Sequence, residues 1–89
     1  MSATSQLNAY LADAKTMESE GSIDPKTLAA VKRVHGKAVK HMDEHDGDLP
    51  EAFPTALGAL LEGKVSAKTV DTLLKWLLDG GDPAKWGTH

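Results

Sequence analysis

The chain has 89 residues, a formal net charge of −3, 26% charged residues and no cysteine. That length suits one domain with a single core, with about 63% of its surface buried, and leaves little wall for a ligand pocket of ~300 Å³ or more. Without cysteine there are no disulfides, thiolate chemistry or Cys-ligated metal clusters, and a weakly acidic balance gives no global pull toward nucleic acid or anionic membrane.

The opening stretch "MSATSQLNAYLADAK" has neither the basic lead nor the apolar core of a signal peptide. No apolar run approaches the ~20 residues of a membrane span, so a cytoplasmic protein is the expectation. The first periodic segment runs from about Thr4 to Met17. Leu7, Tyr10, Leu11, Ala14 and Met17 recur at helical spacing, Thr4 or Ser5 can cap it, and Gly21 closes it.

The second predicted helix starts at Asp24 as N-cap, with Pro25 at the first helical position, and reaches about Glu44. Its expected inner stripe is Leu28, Val31, Ala38, Val39 and Met42, with His35 among them. Lys26, Arg33, Lys37 and Lys40 share the roughly opposite face, and Gly36 is a weak point on that side. A histidine within such a stripe is expected to be buried, or to act as a pH-sensitive switch.

"HDGDLPEAFP" then breaks the pattern. Asp48 can cap a turn, and Pro54 predicts a kinked or short third helix, with Phe53, Leu57, Leu60 and Leu61 inward and an end near Gly63. The fourth helix is expected from Ser66 to about Asp79, lined by Val70, Leu73, Leu74, Leu77 and Leu78 and stopped by Gly80 and Gly81. No segment alternates with period two over strand length. The expectation is an all-α domain over residues 1–80, a small bundle of four helices built as two helical hairpins, with residues 81–89 as a short tail.

"EGSIDPKTLAAVKRVH" (20–35) and "EGKVSAKTVDTLLKWL" (62–77) share Glu, Gly, Lys and Thr in register at an offset of 42. Each shared position has a local reason. Glycine ends one helix, Ile23 or Val65 acts as a staple, and Asp24 or Ser66 caps the next helix. The echo is therefore read as shared helix-boundary chemistry, with duplication the less favoured origin.

Four kinds of site have some footing in these residues. "KVSAKTVDTLL" resembles a helix-turn-helix in outline. Lys68, Thr69, Thr72 and Lys75 would then face DNA, but the face lacks the Arg, Asn and Gln that read base edges. "DEHDGDLPEAF" aligns with a calcium loop only by placing Met42 first and Phe53 twelfth, where carboxylates are needed, so calcium binding is not expected. His41 and His45, at i and i+4, form half of a metal clamp and are weak candidates, because no third ligand is apparent. The fourth is a surface for a protein partner: the basic face of Lys26, Arg33, Lys37 and Lys40, together with Trp76. Trp76 is either a binding anchor or packed against Trp86.

No phosphate loop, nucleophile elbow or paired inward carboxylates appear, so neither an enzyme nor a cofactor is expected. What the residues favour is a non-catalytic protein-protein interaction module: an accessory, adaptor or inhibitor subunit that could assemble as a homodimer. The DNA-binding and histidine-metal readings follow it.

Overall fold

The computed structural model describes residues 2–86. It is an all-α bundle of four helices: α1 (Ala3–Glu20), α2 (Pro25–Glu44), α3 (Ala52–Leu61) and α4 (Val70–Leu78). A single turn of 3-10 helix, Pro83–Lys85, follows in the tail. The last three tail residues lie outside the described residues. No described helix is long and apolar enough to cross a membrane.

α1 begins one residue before the predicted start, because Ser2 and not Thr4 caps it: the Ser2 hydroxyl accepts from Ser5 N–H. Asp48 reaches the same end from the α2–α3 loop. Its carboxylate accepts from the Thr4 hydroxyl (2.9 Å), Ala3 N–H (3.3 Å) and Leu49 N–H (2.8 Å). The predicted turn cap thus serves a helix more than forty residues upstream, where the positive end of the helix dipole favours a carboxylate. The Thr4 bond first, then the backbone bonds, hold Asp48 below its ordinary value of 3.8.

α2 starts as predicted, the Asp24 carboxylate accepting from Lys26 N–H at 2.9 Å. Its inner face is rotated from the expected stripe. Ala30, Val31, Val34 and Ala38 are buried, whereas Val39 and Met42 are 39% and 38% exposed and His35 is exposed. His35 is therefore no core histidine. The alanines explain the rotation: small side chains let neighbouring backbones approach, so the helix turns its narrowest side to the core and leaves two larger apolar residues outside.

α3 is the hub and packs against all three other helices. It carries no charge, and Phe53, Pro54, Ala56, Leu57, Gly58 and Leu60 are all buried, so nearly its whole circumference faces protein. Pro54 produces no second segment. It occupies the third helical position, where its missing N–H is one of the donors that has no intrahelical acceptor anyway. The helix is short and continuous, and Leu61 is only half-buried.

The fourth helix begins four residues later than predicted. Ser66 caps nothing: its carbonyl accepts from the Thr69 N–H and hydroxyl, both at 3.1 Å, which closes a tight turn ahead of Val70. The two halves of the sequence echo therefore differ where helices start and agree where they end. At Gly21 (φ 71°) and Gly63 (φ 77°) the same paired bonds close the preceding helix. Gly21 N–H and Ser22 N–H donate to Glu18 and Met17; Gly63 N–H and Lys64 N–H donate to Leu60 and Ala59. This left-handed cap suits glycine. One core results, with Leu7, Val34, Leu57, Val70 and Leu74 at its centre.

Candidate functional site

The basic face of α2 does not stand free. Arg33 donates to the Ala67 carbonyl at 3.0 Å and lies 3.5 Å from Asp71 Oδ2, while Lys37 Nζ lies 3.3 Å from Asp71 Oδ1. Both pairs are half-exposed, which limits each to a fraction of ~1 kcal/mol. Their role is positional: they tie α2 to the first turn of α4. Lys26 is exposed at the start of α2, eleven residues or ~16 Å along the helix from Lys37.

Beyond that tie the two helices leave a groove of about 780 Å³. Lys37, Lys40, His41 and Glu44 line it from α2; Asp71, Thr72, Leu74, Lys75, Leu78 and the following Asp79 line it from α4; Phe53 of α3 closes the floor. Asp71 and Asp79 mark its ends, ~12 Å apart at helical rise, or about two turns. Arg33 and Lys37 engage residues 67–71, and residues 40–44 share the groove with residues 74–79. α2 and α4 therefore run in the same sense along it. Leu78, counted among the inward leucines by its spacing, is 47% exposed on this groove.

The groove also carries unused polar capacity. His41 Nδ1 and Asp71 Oδ1 are the two side-chain atoms, among the described residues, that are buried without a hydrogen bond. Asp71 Oδ1 has Lys37 at ion-pair distance but accepts no aligned bond; His41 Nδ1 has no hydrogen-bond partner among the described residues. Buried polar atoms in folded proteins are nearly always paired, so His41 Nδ1, which has no ion-pair partner either, stands out in the groove.

The histidine pair is not arranged as a clamp. The His41 and His45 rings stack 4.3 Å apart at 15°, with His41 edge-on to Phe53 at 5.6 Å. His45 Nδ1–H donates to the His41 carbonyl at 3.2 Å, which directs that nitrogen to the backbone. Among the described residues no group of three or more His, Cys, Asp or Glu could hold a metal ion.

Trp76 lies on the other flank of α4, two positions or about 200° around a 100° wheel from Leu74, and so away from the groove. It is half-buried, with Trp86 at 5.4 Å and 51°, and its indole lies over Gly81, where any Cβ would collide with the ring. The partner-binding residues inferred from sequence therefore divide. Lys37 and Lys40 line the groove, Arg33 bridges its closed end, and Lys26 and Trp76 lie elsewhere. The residues considered for DNA divide too: Lys68 and Thr69 precede α4 in the turn, while Thr72 and Lys75 line the groove. The connection between α3 and α4 spans residues 62–69, longer than the 3–4-residue turn of a helix-turn-helix.

Sequence reasoning missed Leu78, Glu44 and Asp79. The available signal was the width of the α4 stripe: Leu74, Leu77 and Leu78 together span more of the helix than one packing partner covers. Compared with known proteins, the chain matches no family, no curated protein and no solved structure.

Proposed function

We propose that the protein is a non-catalytic, cytoplasmic protein-protein interaction module, an accessory, adaptor or inhibitor subunit that engages its partner through the α2–α4 groove. The observation that supports this is the groove's make-up: half-exposed Leu78 above the buried Phe53 and Leu74, under a charged rim, with His41 Nδ1 unpaired among the described residues. An apolar centre within a polar border is the usual anatomy of a protein interface. A groove two turns long matches a short helical or extended segment.

Affinity capture from host lysate tests the reading, using wild type, Leu78→Glu, Lys40→Glu and Trp76→Ala. Lys40 is preferred to Lys37, whose reversal would also break the tie to Asp71. Loss of the captured protein with Leu78→Glu and Lys40→Glu, at unchanged helicity, is expected. Retention by both, with loss on Trp76→Ala, would move the interface to the tryptophan flank.

A further inference from the structure

Four charges on the groove rim take part in no ion pair among the described residues. Arg33–Asp71 and Lys37–Asp71 pair at the groove's end and Lys64–Glu62 outside it, and none of these uses Lys40, Glu44, Lys75 or Asp79. All four are exposed. Their order repeats: on α2 a lysine is followed four residues later by a carboxylate, and on α4 the same spacing recurs. Because the helices run in the same sense, the two lysines form one row across the groove and the two carboxylates a second, ~6 Å further along.

Such a surface complements itself. A two-fold axis lying across the groove, midway between the rows, turns the molecule end for end. It sets α2 antiparallel over α2 of the second copy, and α4 over α4. Lys40 then meets Glu44 of the other copy and Lys75 meets Asp79, each pair formed twice, as an isologous contact requires. The same axis passes close to Leu78, bringing the two half-exposed leucines together over the Phe53 floor.

We propose that a second copy of this chain docks over the groove, antiparallel about that axis. The inference rests on the groove being the interaction surface and names what covers it. An acidic peptide would satisfy the lysine row and leave Glu44 and Asp79 facing like charge, whereas a second copy satisfies both rows. A stable dimer buries ~800 Å² per copy, roughly a seventh of the 5616 Å² exposed here.

Sedimentation equilibrium over a concentration series decides it, with circular dichroism as the folding control. Wild type should be dimeric. Lys40→Glu with Lys75→Glu, and separately Glu44→Lys with Asp79→Lys, should each weaken self-association by ~100-fold or more, because like charges then face each other. Mixing the two variants should restore a one-to-one dimer. The native chain has no cysteine, so Leu78→Cys gives a second readout: oxidation should link two copies covalently, while Lys26→Cys should not.

Wild type that stays monomeric overturns the proposal. If it nonetheless captures a different protein through Leu78 and Lys40, the interaction reading survives without it. A dimer unaffected by either charge reversal, or linked through residue 26 and not 78, overturns it as well by placing the contact on another face.

Discussion

The seam between α1 and α3 is closed, and the seam between α2 and α4 is open. In the first, glycine at position 58 lets the Tyr10 ring settle against the α3 backbone, so close that a Cβ there would lie 2.9 Å from the ring. Leu7 and Ala14 are buried beside it. In the second, long side chains face each other, and Arg33 and Lys37 reach across to residues 67 and 71. Two helix pairs in one small bundle thus do different things. Small residues close one against the core; charged residues tie the other at one end, and beyond the tie it opens onto half-exposed Leu78.

Breaking the closed seam should have the largest effect on stability. Leu7→Ala should cost ~2–5 kcal/mol in chemical denaturation, since its side chain is almost wholly enclosed. Gly58→Ala is more delicate. Displacing Tyr10 should cost ~1–3 kcal/mol, while alanine returns ~1 kcal/mol of helix propensity, for a net loss of up to ~2 kcal/mol. Adding Tyr10→Leu should relieve that loss, visible as non-additivity in a double-mutant cycle.

Asp48 fastens the closed seam's outer end, and its effect depends on pH. Its folded-state value is depressed by the Thr4 hydroxyl and by backbone N–H groups. The stability it contributes is therefore complete above the ordinary aspartate value of 3.8 and is lost as pH falls below it through the depressed value. Asp48→Asn should melt lower than wild type near neutrality, with the difference shrinking on acidification through that window. A constant difference would show that the charge is not what matters.

The open seam should respond least. Asp71→Ala should cost under ~1 kcal/mol, because both of its ion pairs are half-exposed and screened. A loss on the scale of Leu7→Ala would mean that α4 depends on this tie for its place, and the groove would then be a packed interface.

Much of this was legible in the sequence. The four helices, their order, the Asp24 cap and the glycine stop at Gly21 follow from short-range chemistry, and α1 and α2 start within a residue of where it puts them. Boundaries that depend on tertiary partners were not legible. Ser66 and Asp24 are both good caps by type, yet Ser66 closes a turn of its own and α4 begins at Val70. Periodicity could show that α2 has an apolar side; it could not show that Ala30 and Ala38 would be chosen over Val39 and Met42, because that choice depends on how closely the neighbouring helices approach. The groove combines both kinds of information. Lys37 and Lys40 stand out as charge on one helix, but their separation from Trp76, and the matching rows on α2 and α4, exist only once the helices are set side by side.

The most direct test follows backbone amide chemical shifts while the concentration of wild-type protein is raised. If the groove takes a second copy, shifts should move together along one binding curve at Lys40, Glu44, Thr72, Lys75 and Leu78, while Tyr10, Gly58 and Trp76 stay still. Shifts centred on the α1–α3 seam or the tryptophan flank, or a spectrum that never changes, would contradict it.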